Sequence, residues 1–209
     1  MNIGILLSAG NSRRFEYEIP KQLFVLNNKP ILNHSLDVMN NLLDKNIIIT
    51  NSKCYNDIIK IVNKDNIVLI NDTDSRIKSI WTGLEYINNN LLCKSVIIHD
   101  VARPFIIDDY IKTLLNYANN YMYIQYCLPL TNGLIKKSEN CKFVDRNNYI
   151  EACTPIYINY NILKSIYDNT KLEDIYEIFT HIPISEKYKF INGSYKYLRK
   201  ITTIDDINI

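Results

Sequence analysis

Apolar residues fall along this chain in short blocks, and the blocks alternate with segments of helical spacing. Asn2–Leu7 (NIGILL) is a compact apolar run with no helical stripe, which predicts a buried parallel strand. A polar loop, Ser8–Tyr17, follows it. Lys29–Asn41 predicts a helix, with Pro30 suited to a first helical position. Asn46–Thr50 (NIIIT), Ile67–Ile70 and Ser95–His99 (SVIIH) predict further strands. Helices are expected between them over Asn56–Val62 and over Ser75–Asn88, where Ile80, Gly83, Leu84 and Ile87 keep helical spacing. Asp108–Asn119 predicts a helix and Tyr121–Leu128 a strand. Beyond these, helices are expected over Ile158–Asp168 and Glu173–Thr180, a strand over Tyr188–Ile191 and the start of a terminal helix at Asp205–Ile209.

Strand and helix alternating at this pitch predict an α/β fold, a three-layer αβα sandwich with a mostly parallel, Rossmann-like sheet, as one domain over residues 1–209. Residues 131–152 break the pattern. Two extended pieces, Gly133–Lys136 and Lys142–Asp145, flank a polar turn at Ser138–Asn140 and predict a protruding β-hairpin arm. Such an arm is either a plain surface hairpin or one exchanged between two copies of the chain.

Composition narrows the function classes. The 209 residues carry 24 Lys and Arg against 22 Asp and Glu, a net charge of +2, which argues against bulk electrostatic binding to nucleic acid. No stretch approaches the roughly 18 apolar residues of a membrane span, and Met1–Leu7 lacks the basic start of a signal peptide. The expected setting is the cytoplasm, with neither membrane nor nucleic-acid partners. Five cysteines without C-x-x-C spacing read as free thiols, and His34, His99 and His181 are too scattered for a zinc site.

In a parallel sheet, ligands bind beyond the carboxyl ends of the strands. That selects Ser8–Arg14 and Asp100–Arg103. In Ser8-Ala9-Gly10-Asn11-Ser12-Arg13-Arg14, small residues let backbone N–H groups approach a triphosphate, and Arg14 and Lys21 lie just beyond to neutralise charge on a phosphoryl group. The alternative is an ordinary strand-to-loop turn with solvent-facing arginines. Neither a Walker loop nor a dinucleotide fingerprint is present. In His99-Asp100-Val101-Ala102-Arg103-Pro104, an aspartate at a strand end suits Mg²⁺ beside phosphate oxygens, and Arg103 could grip an acidic group. The alternative there is an internal Asp100–Arg103 pair. Lys200, close to Lys196, reads equally as part of a solvated basic face, and Arg146 and Thr154 fall on the arm and at its base. His99 and Cys153 read as packed residues, and Trp81 as packing under its helix.

In order and spacing these segments resemble the IspD-type cytidylyltransferases. The resemblance runs through Ser8–Gly10, Arg14, Pro20-Lys21-Gln22, Lys29-Pro30, His34-Ser35, Arg76 and Ser79, His99–Pro104, Val144-Asp145-Arg146, Thr154-Pro155 and Lys200–Thr203. It implies transfer of CMP from CTP to a small phosphorylated polyol with release of pyrophosphate. It also implies Arg14, Lys21 and Lys200 as catalytic cations, and Asp100 as the magnesium-associated aspartate. Ser8, Ala9, Gly10, Asp74, Ser79 and Val101 would line the nucleotide, and Arg103, Arg146 and Thr154 the acceptor. A homodimer sharing its sites through the 131–152 arm is implied too. Methylerythritol 4-phosphate is the first expected acceptor and ribitol 5-phosphate the second; a catalytically poor nucleotide-binding subunit is the alternative of another class. The chain departs from the pattern at Asp72-Thr73, where the family has Gly-Gly, and at Asn132-Gly133, where it has Asp-Thr. A further departure lies around Leu172-Glu173-Asp174, where the family's acidic segment is missing.

Overall fold

The computed structural model describes residues 1–73, 75–137 and 141–207. Eleven strands occur in them: β1 (Asn2–Ser8), β2 (Val25–Leu26), β3 (Lys29–Pro30), β4 (Lys45–Thr50), β5 (Ile67–Ile70), β6 (Ser95–Asp100), β7 (Tyr123–Pro129), β8 (Leu134–Lys136), β9 (Lys142–Val144), β10 (Ile150–Asn159) and β11 (Tyr188–Asn192). The α-helices are α1 (Ile31–Leu42), α2 (Ser52–Ile61), α3 (Arg76–Asn90), α4 (Asp108–Tyr117), α5 (Tyr160–Asn169) and α6 (Tyr195–Leu198). Seven strands form one sheet in the order β11-β7-β10-β6-β1-β4-β5. β1 is parallel to β4 and β6, β4 to β5 and β11 to β7, while β10 runs antiparallel to both its neighbours.

Strand alternation sorts the apolar side chains onto two faces. Leu6, Ile48, Ile97 and Ile124 pack with α1, α2 and α4 through Ile31, Leu36, Ile58, Ile111 and Leu114. Ile5, Ile47, Ile49, Val96 and Ile98 pack with α3 and α5 through Ile77, Ile80, Leu84, Ile87, Leu163 and Ile166. Burial on both faces explains why these strands are continuous apolar runs. Gly4 sits at a close approach: a Cβ there would press on the side-chain ends of Asn46 and of Met39 on α1, which would have to shift.

Several expectations are corrected. Ile158 does not begin a helix. Residues 150–159 are a central strand, and α5 starts at Tyr160, capped by the Asn159 side chain. Ile150–Ala152 pair with β7 in the main sheet and not with the arm. The helix expected from Asn56 starts at Ser52, because Asn51 caps it by accepting the Cys54 N–H. Lys29 and Pro30 pair with Leu26 and Val25 across an Asn27-Asn28 turn in which both residues have positive φ, so α1 starts at Ile31. The segment expected as a helix over Glu173–Thr180 is a 3-10 helix, Ile175–His181. The arm is present as the antiparallel pair β8–β9; its turn, Ser138–Asn140, lies outside the described residues.

Candidate active site

β1 and β6 lie side by side in the middle of the sheet, and their carboxyl ends open into one cleft of about 370 Å³. Ser8, Ala9, Gly10, Arg14, Lys21, Ser79, Asp100, Val101 and Lys200 line it, so nine of the residues expected from sequence converge there. Asp74 lies outside the described residues.

The loop after β1 is pinned by side-chain hydrogen bonds. Asn51 Nδ2 donates to the Ala9 carbonyl, 3.0 Å. Ser12, at φ 53°, accepts the Lys21 N–H at 3.1 Å and donates to Gln22 Oε1 at 3.2 Å, and Gln22 Nε2 donates to Cys54 Sγ at 3.1 Å. Gln22 is buried, so this chain of bonds ties the two cation-bearing segments together in a water-poor place. At Gly10 a Cβ would meet nothing within 4 Å, so a side chain there would only occupy open space in the cleft.

Asp100 is the electrostatic centre. It is buried, and its Oδ2 accepts from Arg76 Nη2 at 3.0 Å and from Lys200 Nζ at 2.8 Å. Burial alone would raise its pKa, but Arg76, Lys200 and Arg103 outweigh burial and hold the carboxyl well below the usual range. Arg76 also stacks on the Tyr176 ring at 5.0 Å. Lys200 arrives from the far end of the chain. The Ile201 N–H donates to the Ala102 carbonyl, 2.8 Å, and Asp206 Oδ2 accepts the N–H groups of Thr202 and Thr203. Lys21 Nζ donates to the Ile201 carbonyl at 2.9 Å, closing the two cationic segments on each other. Burial first, then the Lys200 charge, pull the Lys21 ammonium down to about 8, with Arg14 adding and Asp100 opposing. Such a gathering of cations attracts anions.

The acceptor expectations fare differently. Arg103 is buried outside the cleft lining; its guanidinium donates to the Leu198 carbonyl and stands 3.6 Å from Glu151. The internal Asp100–Arg103 pair considered from sequence is therefore replaced by Arg76 and Lys200. Thr154 is buried behind the strand end, where its Oγ1 accepts the Asp100 N–H at 3.1 Å. Arg146 sits at the base of the arm and donates to the Thr131 carbonyl, outside the cleft of its own chain. Sequence reasoning gave no role to Arg76, Gln22 or Thr202, although all three belong to the quoted motifs. His99 is a packed residue: burial pushes its imidazole down to about 4, and Nε2 lies 3.1 Å from the Arg103 carbonyl. Trp81 packs edge-on against Tyr167, and burial raises the Cys153 thiol to about 11.

A magnesium ion fits this donor set in one particular way. Among the described residues no group of three or more His, Cys, Asp or Glu could cage a metal. Mg²⁺ is commonly held by one or two carboxylates together with substrate phosphates, and among the described residues lining the cleft Asp100 is the carboxylate that would take that place.

A strand-end cleft that gathers cations around one carboxylate, on a sheet of this topology, defines the class: a nucleotidyltransferase. Within it the chain belongs to the family described as IspD, 2-C-methyl-D-erythritol 4-phosphate cytidylyltransferase, whose model matches residues 3–209. The bifunctional enzyme IspD/IspF of Pelagibacter ubique is 32% identical over 97% of this chain, which spans 55% of that longer protein. A 2-C-methyl-D-erythritol 4-phosphate cytidylyltransferase of Clostridium botulinum is 29% identical over 99% of the chain and 94% of its own length. The fold is shared with the 4-diphosphocytidyl-2C-methyl-D-erythritol synthase of Anaerococcus prevotii, at a TM-score of 0.81 and 20% identity over 99% of this chain and 92% of that one.

Proposed function

We propose that this cleft transfers CMP from CTP to 2-C-methyl-D-erythritol 4-phosphate. The observation that carries the reading is the convergence of Arg14, Lys21, Lys200 and Arg76 on a cleft whose one carboxylate among the described residues, Asp100, is already paired with Arg76 and Lys200. Among the described residues lining the cleft, cations outnumber carboxylates, which suits a triphosphate ligand.

The chemistry follows from the charges. The acceptor's phosphate has a second pKa of about 6, so its dianion is a nucleophile near neutral pH and no general base is needed. An acceptor phosphate oxygen attacks the α-phosphorus of CTP. The new P–O bond forms as the bond to the β-phosphate oxygen breaks, and pyrophosphate leaves with that electron pair. Catalysis is then positioning and charge stabilisation. The small-residue loop Ser8–Gly10 leaves room for phosphates to approach backbone amides. Arg14 and Lys21 face the triphosphate, and Lys200, released from Asp100, turns to the α-phosphate. Asp100 would hold Mg²⁺, which when bound supplies further charge neutralisation to the phosphates.

The arm belongs to the same reading. Ile135 and Phe143 face each other across β8–β9, at 57% and 83% exposure. We read this apolar arm as the contact of a homodimer in which Arg146 serves the partner's acceptor site.

Pyrophosphate release with CTP and Mg²⁺ tests the reading, with methylerythritol 4-phosphate and ribitol 5-phosphate supplied in parallel. Turnover with the first is expected. Turnover with ribitol 5-phosphate alone would replace the acceptor and make Asn132-Gly133 the place to look for the change. No release with either would overturn the transferase reading.

A further inference from the structure

Most polar side chains in the cleft have their hydrogen bonds met inside the protein. Gln22 is held by Ser12 and Cys54, Ser79 donates to the Ser75 carbonyl at 3.2 Å, and Asp100 is held by Arg76 and Lys200. Among the described residues, two buried atoms lining the cleft have no such partner, Arg76 Nε and Ser8 Oγ. Arg76 is otherwise engaged, at Asp100 and against Tyr176. Ser8 is different, because Oγ is the only polar atom its side chain has, and the residue is 1% exposed.

A hydroxyl shut away from water without a partner works against folding. Alanine at the same place would keep the packing and remove that cost, and its neighbour Ala9 is buried in the same loop. Folding therefore gives no reason for the hydroxyl, and a ligand does. Strand alternation aims it at a definite side. Leu6 packs on the α1 face of the sheet and Leu7 on the α3 face, so Ser8 faces the α1 side, toward the segment that carries Lys21 and Gln22.

We propose that Ser8 Oγ donates a hydrogen bond to an oxygen of the bound nucleoside triphosphate, a side-chain contact in a loop otherwise suited to act through its backbone amides. The inference rests on the transferase reading above and adds to it an affinity-determining residue.

The test is Ser8→Ala, read by calorimetric titration with CTP in the presence of Mg²⁺ and by thermal melting of the free protein. The Kd for CTP rises about tenfold, while the ligand-free melting temperature is unchanged or higher. A fall in the ligand-free melting temperature, or failure to fold, would mean that the hydroxyl has an internal structural role and would overturn the inference whatever the affinity. Unchanged CTP affinity would overturn it as well. Wild-type protein that binds no CTP would bring down the transferase reading together with this one, whereas wild-type binding matched by Ser8→Ala would sink only this one.

Discussion

Lys21 shows how one residue connects burial to chemistry. Its ammonium is held at about 8 by burial and by the Lys200 and Arg14 charges, so in the free protein it loses its proton as the pH rises through that value. A bound triphosphate stabilises the charged form and raises the pKa again. CTP binding near pH 8 is therefore accompanied by proton uptake, and kcat/KM for CTP falls above about pH 8 while this group leaves the more acidic side flat. Calorimetry in two buffers of different ionisation enthalpy measures the uptake directly; identical heats would contradict the assignment. Asp100 shows the complementary case. Arg76 and Lys200 keep it ionised across the working range, so it contributes a fixed charge and no titration step.

At the scale of elements, legibility followed burial. β1, β4 and β6 were readable because both faces are covered, which makes their sequences unbroken apolar runs. β10 was not. Its run is interrupted by Glu151, Thr154 and Pro155, and its register with β7 shifts between Cys153 and Ile156. A proline at such an irregularity is tolerated because a ladder hydrogen bond is already lost there, but along the sequence it reads as the end of a strand. The arm was readable from its polar turn, and its apolar face carries a consequence. If the arm is the contact proposed for it, wild-type protein is expected to sediment as a dimer at micromolar concentration, and Phe143→Asp is expected to shift it toward monomer and lower transfer, because Arg146 would no longer reach a partner's site. A wild-type monomer, or an unaltered dimer in Phe143→Asp, would contradict the arm's role.

Across the whole molecule, the site is assembled from segments that sequence distance conceals. Ser8–Arg14 and Asp100 could be placed from sequence because they end adjacent strands, where ligands bind in such sheets. The pairing of Asp100 with Arg76 and Lys200 could not, because it joins residues 24 and 100 positions apart through helix α3 and the C-terminal segment. Burial of Arg103 and Thr154 behind the strand end was hidden for the same reason: both motifs read as exposed chemistry until β10 is laid against β6. The central claim is that the cations of this cleft carry nucleotidyl transfer. It is tested most directly by pyrophosphate release from CTP and methylerythritol 4-phosphate, wild type against Lys21→Met. Removing one such charge is expected to cut the rate by about 10²–10³-fold with the melting temperature preserved. A Lys21→Met protein turning over at the wild-type rate would contradict the account.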